Sequence, residues 1–202
     1  TSARNALDCA LWDLECKRSG QSIWERTGVA RKNAIEVDLT IGINPTAKMR
    51  VDALAAFAKG FRILKLKANQ EDVLERVEAI AAACRGASLI VDANEAWDIA
   101  TLNRLADPLD KLGVALIEQP LHHLADEPLA GYTGRIALCA DESCSSIADL
   151  DRLSRLYQAI NIKLDKVGGL TPGLELEAAA HARGMKVMLG CSGPTSLGAA
   201  PA

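Results

Sequence analysis

Three acidic residues in this sequence occupy positions from which they could bind a metal ion. Asp92 in "IVDAN", Glu118 in "LIEQP" and Asp141 in "CADES" each close a short apolar run. Carboxylate oxygens without nearby cysteine or histidine favour a hard cation such as Mg²⁺ over zinc. Taken singly, each acid is equally well explained as a turn former or a helix N-cap. The metal interpretation therefore requires that the fold bring the three acids together.

Two lysines lie close together in an apolar segment of the chain. The stretch "RILKLKAN" (62–69) carries Lys65 and Lys67 two positions apart. Alternate side chains of a strand point to the same face, so both ammonium groups share a face. Like charges on one buried face destabilise each other, which predicts that neighbouring strands carry compensating groups.

The runs that carry these residues belong to a regular alternation. Strand-like apolar runs occupy 34–43, 61–68, 88–94, 114–120, 135–142, 159–166 and 186–192. Between them lie segments of helical period, such as 71–85 and 173–184. Apolar strands that alternate with helices predict βα units and a parallel sheet covered on both faces.

Two parallel architectures have this order of elements, an open doubly wound sheet and a closed (β/α)8 barrel. No G-x-G-x-x-G motif follows the first strand, so the dinucleotide-binding open sheet loses its main support. In barrels the active site lies at the carboxyl ends of the strands, where the three acids fall. The sequence therefore predicts an α/β fold of the TIM type, a (β/α) barrel that stops before its eighth strand.

The sixth strand of such a barrel lies across from the second. Lys163, in "NIKLDK", would then flank the acids from the side opposite to Lys65 and Lys67. By strand alternation Lys163 shares a face with Asp165, whereas Lys166 faces the other way and is interpreted as structural.

The opening segment predicts an amphipathic helix that ends near Gly20. Its apolar face is formed by Leu7, Ala10, Leu11 and Leu14. We expect two parts in the chain, a helix over 1–20 that leads into the barrel and a partial catalytic barrel over 21–202.

Composition argues against several functional classes. The 202 residues are 49% hydrophobic with a net charge of −3, which is typical of a globular protein. The absence of a basic run argues against nucleic acid, and no apolar stretch reaches the roughly 18 residues that span a bilayer. Six cysteines without a C-x-x-C pair predict reduced thiols in a cytoplasmic protein. The expected partner is a small-molecule substrate, and a homo-oligomer is left open.

The combination of motifs resembles the enolase superfamily, and within it the muconate-lactonizing subgroup. The motifs are "KLK" (65–67), "DAN" (92–94), "EQP" (118–120), "ADES" (140–143) and "NIKLDKVGG" (161–169). The resemblance implies a (β/α)7β-type barrel, here without its last strand and without the N-terminal capping domain of the family. It also implies one Mg²⁺ per active site, held by Asp92, Glu118 and Asp141.

The same resemblance implies roles for the lysines. Lys67 is expected to remove the proton α to a carboxylate, while Lys65 is its like-charged neighbour and a ligand of the substrate carboxylate. The second ammonium and Mg²⁺ would lower the pKa of the base from roughly 10.4 toward neutrality. Mg²⁺ would stabilise the developing ene-diolate, and Lys163 would return a proton from the opposite face and invert the stereocentre.

Within the subgroup, the motifs "NIKLDKVGGLT" and "MLGCSGPTSLGAAPA" are most similar to dipeptide epimerases of the L-Ala-D/L-Glu type. The implied reaction is inversion of the α-carbon of the C-terminal residue of a dipeptide. Three further residues, Thr40, Cys191 and Ser192, are expected at the substrate together with Lys65. Asn94 and Asp165 are expected to support the metal ligands and bases.

Several alternatives stay open on the same scaffold. They are an N-acylamino acid racemase, an o-succinylbenzoate synthase, a muconate-type cycloisomerase and a metal-binding remnant without turnover. Outside the motifs, Glu142 is expected to point away from the site and Trp97 to pack at its rim. The histidines 122, 123 and 181 lack ligand spacing, so the sequence assigns them no role.

Overall fold

The computed structural model describes residues 1–31, 33–193 and 195–200. Three residues of the 188–202 motif, Pro194, Pro201 and Ala202, lie outside the described residues. The strands are β1 (Asp38–Ile41), β2 (Ile63–Lys67), β3 (Ser88–Asp92), β4 (Val114–Glu118), β5 (Ala137–Ala140), β6 (Ala159–Lys163) and β7 (Lys186–Gly190). The helices are α1 (Ser2–Ser19), α2 (Ile23–Thr27), α3 (Thr46–Ala58), α4 (Val73–Ala83), α5 (Ile99–Lys111), α6 (Leu150–Leu153), α7 (Leu164–Val167), α8 (Leu170–His181) and α9 (Ser196–Ala199).

One compact unit comprises Glu36–Ser143 together with Arg155–Gln158 and contains β1 to β5. These five strands are parallel and pair in chain order, as the alternation of apolar runs and helical segments predicted. The register aligns Lys67 with Asp92 and Asp92 with Glu118 at the carboxyl ends of β2, β3 and β4. Most apolar residues of the same strands are buried, and Lys67, Asp92 and Glu118 lie at the carboxyl end of this apolar core.

The other compact unit comprises the described residues of Thr1–Ile35, Cys144–Ser154 and Ala159–Ala202. Its two strands, β6 and β7, are parallel and align Lys163 with Gly190. The strand β6 ends at Lys163, because the next four residues form the single turn α7. That turn ends at Gly168, whose backbone N donates to Leu164 O at 2.8 Å in the left-handed conformation that glycine adopts without strain. The expectation that the strand continues to residue 166, so that Lys163 and Asp165 share a strand face, was therefore wrong.

Helix α1 ends at Ser19 with Gly20 in the left-handed cap conformation, as predicted. Its leucines nevertheless do not form the predicted buried face, since Leu7, Leu11 and Leu14 are 62%, 56% and 49% exposed. The buried residues of the helix are Asn5 and Cys9. Two polar contacts join α1 to α8. Asp8 accepts a hydrogen bond from Thr171 N at 3.1 Å, and Trp12 Nε1 donates to Thr171 Oγ1 at 2.9 Å.

Two predictions on the chain as a whole can be compared with the described residues. All six cysteines are among the described residues and have free thiols, and five of them are buried or half-buried. Among the described residues, no helix combines the length and apolar character needed to cross a membrane.

Candidate active site

Lys65 bridges two of the three predicted metal ligands. Its Nζ lies 2.9 Å from Asp92 Oδ2 and 2.7 Å from Glu118 Oε2. Both carboxylates are fully buried at the carboxyl ends of β3 and β4, where their negative charge needs compensation. Burial disfavours the ammonium of Lys65, but the charges of Glu118 and Asp92 outweigh it and raise the pKa of Lys65 above its ordinary value. Lys65 is therefore a charged group at neutral pH, which suits a charged neighbour rather than a base.

Lys67 reaches the same acid from a more open position. Its Nζ donates to Asp92 Oδ2 at 2.7 Å and to Asn94 Oδ1 at 2.6 Å, and its side chain is 31% exposed. Asn94 adopts a left-handed φ of 43°, and its backbone N donates to Asp92 Oδ1 at 3.0 Å. Asn94 thus contacts both the predicted base and a predicted metal ligand.

The expectation that Glu142 points away from this group was wrong. Asn94 Nδ2 donates to Glu142 Oε1 at 3.3 Å. Strand alternation failed as a guide because β5 ends at Ala140, two residues before Glu142. Trp97 behaves as expected of a packing residue, since it is buried and its Nε1 donates to Asn69 O at 2.7 Å.

The three acids form a donor set that fits a hard cation. Asp92 and Glu118 end β3 and β4, Asp141 directly follows β5, and all three are buried. All three offer carboxylate oxygen, and buried carboxylates at this density need a positive charge beside them. Lys65 supplies such a charge to two of the acids.

Gln119 is a buried polar residue next to the site, and the sequence analysis gave it no role. It is fully buried and has a left-handed φ of 35°. Its Oε1 accepts hydrogen bonds from Asp141 N at 2.8 Å and from Ser143 N at 3.1 Å. Its Nε2 donates to Leu121 O and to Ser143 Oγ, both at 2.8 Å. The side chain of Gln119 therefore fixes the backbone that carries Asp141, and the one available sequence signal was an amide directly after Glu118.

Asp126 and Tyr157 complete the network around Gln119. Asp126 Oδ2 accepts from Ser143 Oγ at 2.6 Å and from Tyr157 OH at 3.0 Å. The Tyr157 hydroxyl also lies 3.1 Å from Gln119 Nε2. Burial raises the pKa of Tyr157, and the charge of Asp126 adds to this effect. The network thus holds the neutral phenol of Tyr157 against the buried carboxylate of Asp126.

A second group of ligating side chains lies after β3 and β4. Glu95 Oε1 accepts from His123 N at 2.7 Å and lies 2.6 Å from His123 Nδ1. The rings of His122 and His123 stack with centroids 4.6 Å apart. Burial raises the pKa of Glu95, but the hydrogen bonds from His123 and the charges of the two histidines outweigh it, so the pKa is lowered. The sequence analysis assigned these histidines nothing because their partner, Glu95, is distant along the chain.

The remaining predicted residues occupy two places. Thr40 on β1 is exposed and aligns with Lys65 in the β1–β2 register. In the other unit, Lys163 is half-buried at the end of β6, and Cys191 and Ser192 are exposed after β7. Asp165 on α7 and Ser192 line one cavity together with Asn5 of α1. The roles proposed for these residues stay predictions.

Two family models match the chain. The model of enolase C-terminal domain-like proteins matches residues 48–202. The model of the N-terminal domain of mandelate racemase and muconate lactonizing enzyme matches residues 1–28. The helix predicted to lead into the barrel thus lies within a segment similar to the capping domain of the family.

Curated relatives and solved structures agree with these matches. The chain is 41% identical over 190 residues to an L-Ala-D/L-Glu epimerase of Escherichia coli, covering 94% of this chain and 59% of the relative. It is 42% identical over 201 residues to an N-acetyl-D-glutamate racemase of Pseudoalteromonas, covering 100% of this chain and 63% of the relative. The chain therefore spans about three fifths of the length of these curated relatives.

The solved structure of an L-Ala-D/L-Glu epimerase superposes with a TM-score of 0.94 at 41% identity, covering 98% of this chain and 63% of that chain. A dipeptide epimerase from Cytophaga hutchinsonii, complexed with Mg and the dipeptide D-Ala-L-Val, has a TM-score of 0.88 at 29% identity. That match covers 93% of this chain and 53% of the other. The predicted barrel class and the predicted superfamily resemblance are confirmed.

Proposed function

We infer the function from one premise: this chain belongs to the mandelate racemase and muconate lactonizing enzyme family, in the group of enolase C-terminal domain-like proteins. We propose that it belongs to an isomerase that inverts the α-carbon of the C-terminal residue of a dipeptide. The observation that carries the proposal is the pair of ammonium groups on buried carboxylates, with Lys65 inside the group and Lys67 at its open side.

Lys67 is proposed as one of two acid–base groups. Its exposed fraction lets Nζ approach a bound substrate, and in its neutral form it would take the α-proton and become an ammonium. Asp92 and Asn94, which contact Nζ at 2.7 and 2.6 Å, would stabilise that ammonium. Lys163 is proposed to give a proton to the opposite face of the same carbon. Support for Lys163 comes from its place at the carboxyl end of β6 and from the family resemblance.

Asp92, Glu118 and Asp141 are proposed to hold one Mg²⁺. The support is their burial, their all-oxygen donor set and the Mg found in the Cytophaga relative. When bound, Mg²⁺ would stabilise the negative charge that develops on the substrate carboxylate. Lys65, which contacts two of these acids, is proposed to bind the substrate carboxylate from the same side.

The substrate class is proposed from what two relatives have in common. One is named for a dipeptide and the other for N-acetylglutamate, and both names describe a glutamate whose amine is acylated. We propose that the acidic α-carbon belongs to an N-acylated amino acid, with an aminoacyl group as the first candidate. Racemisation of an N-acetylamino acid is the second candidate, because the relative of that name covers the whole chain. Thr40, Cys191 and Ser192 are proposed to contact the substrate.

The experiment compares the two acyl groups in D₂O. The full-length gene product with Mg²⁺ is incubated with L-Ala-L-Glu or with N-acetyl-L-glutamate, and α-deuteration is followed by NMR and mass spectrometry. Deuterium at the glutamate α-carbon with the L,D-epimer supports the dipeptide epimerase, and exchange of N-acetylglutamate alone supports the racemase. No exchange of either substrate by a protein that binds Mg²⁺ contradicts the proposal.

A single variant tests the two-base mechanism. Lys163→Ala should abolish epimerisation but leave solvent exchange of the α-proton of one stereoisomer, because Lys67 still removes it. If Lys163→Ala epimerises at the normal rate, the role proposed for Lys163 is wrong.

A further inference from the structure

We propose that Glu95, His122 and His123 form a second metal site, suited to a transition-metal ion such as Zn²⁺ rather than to Mg²⁺. One ligand atom from each residue lies within 4.8 Å of the other two. Glu95 follows β3, and the two histidines follow β4, so the site would join two loops of the same compact unit. The proposal does not rest on the proposed isomerase function.

Glu95 is held in place by several independent contacts. Its backbone N donates to Gln119 O at 2.8 Å, which ties the loop after β3 to the end of β4. Its Oε1 accepts from His123 N at 2.7 Å. The residue also adopts a left-handed φ of 67°, an unusual conformation for glutamate that the surrounding contacts must maintain. The carboxylate is thus positioned before any ion binds.

The ring nitrogens already face suitable partners. Glu95 Oε1 and His123 Nδ1, at 2.6 Å, share one proton, and a metal ion would replace that proton and release it to solvent. His122 Nδ1 presents a lone pair, since it accepts from Leu124 N at 3.2 Å. A metal ion is a much stronger partner than this long hydrogen bond. His122 is also exposed, so its ring can turn toward the ion.

The donor set selects the kind of ion. Imidazole nitrogen is a good ligand for zinc, copper and nickel, whereas Mg²⁺ prefers oxygen. Two histidines and a glutamate leave a coordination position for water or a further ligand, as in open zinc sites. The buried carboxylates of Asp92, Glu118 and Asp141 offer oxygen alone. We therefore expect Mg²⁺ at these three acids and Zn²⁺ at Glu95, His122 and His123.

The experiment titrates Zn²⁺ into the full-length protein by calorimetry in excess Mg²⁺, which occupies the oxygen site. Wild type is compared with His122→Ala and Glu95→Gln. His181→Ala is the matched control, because His181 is an exposed histidine 3.7 Å from Glu177 outside the group. All four proteins carry Cys191→Ser, since this exposed thiol can itself bind Zn²⁺.

Loss of a partner that merely orients a ligand costs roughly 10–100-fold in metal affinity, so loss of a direct ligand should cost at least as much. We expect His122→Ala and Glu95→Gln to show this loss and His181→Ala to bind Zn²⁺ as wild type does. Equal affinity in all four proteins, or no binding by wild type, would overturn the proposal. Circular dichroism shows whether each variant is folded. If Glu95→Gln is misfolded, the result for His122→Ala decides, because the His122 side chain is exposed and its removal should leave the fold intact. The readout is metal binding, so an inactive enzyme would leave the result intact.

Discussion

Glu118 and Gln119 are neighbours at the end of β4, and both are fully buried, yet they belong to different kinds of polar group. Glu118 contacts an ammonium at 2.7 Å, in what we call the charged cluster, formed by Lys65, Lys67, Asp92 and Glu118. Gln119 contacts backbone and hydroxyl groups in what we call the amide network, formed by Gln119, Asp126, Ser143 and Tyr157.

The difference lies in what each group can exchange. A carboxylate can bind a metal ion or a proton in place of its present partner, and an ammonium can bind a substrate carboxylate. The amide network is satisfied by directional hydrogen bonds, which leave little freedom for new partners. The comparison teaches that the end of β4 supplies two things. Glu118 is a group that can bind an ion, and Gln119 holds the neighbouring backbone in place. Four predictions test this division.

The largest effect is expected for Lys67→Ala. A positioned acid–base group contributes roughly 10²–10⁴-fold to the rate, so exchange of the α-proton should fall by that factor for the stereoisomer that Lys67 deprotonates, while the fold is kept. The measurement is exchange in D₂O by NMR. Lys59→Ala, at an exposed position after α3, is the control and should keep the wild-type rate. Unchanged exchange in Lys67→Ala would remove this lysine from the chemistry.

The next effect is expected for Lys65→Met in the metal-free protein. Removing the ammonium between Asp92 and Glu118 should lower the free energy of unfolding by about 3–5 kcal/mol, as breaking a buried ion pair does. Mg²⁺ should restore more stability to this variant than to wild type, because it binds the folded acids. Urea denaturation with and without Mg²⁺ measures both quantities.

Lys48→Met is the control for Lys65→Met, since it breaks an exposed ion pair with Asp52 on α3. Its cost should be at most about 1 kcal/mol. Equal stabilisation of wild type and Lys65→Met by Mg²⁺ would contradict a metal site at these acids.

Gln119→Leu should have a smaller effect. It should lower both the free energy of unfolding and the affinity for Mg²⁺. Each buried group left without its partner costs about 1–3 kcal/mol, and the backbone N of Asp141 is one such group. Because the variant also frees the segment that carries Asp141, the affinity for Mg²⁺ should fall. Calorimetry is compared with that of Ser143→Ala, which removes a hydroxyl but keeps the bond to Asp141 N. If both variants bind Mg²⁺ equally well, Gln119 has no positioning role.

The smallest effect is expected at alkaline pH for Tyr157→Phe. The pKa of Tyr157 is raised from its ordinary value of 10.0, chiefly by burial, so the folded protein keeps a proton that the unfolded chain loses. The resulting stabilisation is complete below about pH 10 and is lost as the pH rises toward the folded pKa. The difference in unfolding free energy between wild type and Tyr157→Phe should therefore shrink above pH 10. A constant difference would contradict the burial of a neutral phenol.

The fold and the charged cluster could be predicted because both depend on patterns that are local in sequence. Apolar runs predicted all seven strands, and the position of each acid at the end of a run predicted the meeting of Asp92 and Glu118 with Lys65. Strand alternation gave the wrong side-chain direction for Glu142 and Asp165. Both residues lie beyond the end of their strand, in segments where side chains no longer alternate between two faces.

Other features depend on contacts that no single segment contains. The amide network joins Gln119 to Ser143 and Tyr157, and the histidine pair needs Glu95, which is 28 residues from His123 along the chain. The exposed leucines of α1 were mispredicted for the same reason, since the contacts of Asp8 and Trp12 with Thr171 of α8 join segments that are distant along the chain.

The left-handed backbone of Gln119 also has a consequence for protein engineering. Glycine would relieve a conformation that costs a larger residue about 1–3 kcal/mol, so a design rule that considers backbone conformation alone would select Gln119→Gly. The same change would delete the amide that holds Asp141 in place. Because Asp141 N and Ser143 N would lose their acceptor, the melting temperature should fall as well, and a design rule based on backbone conformation should leave this position unchanged.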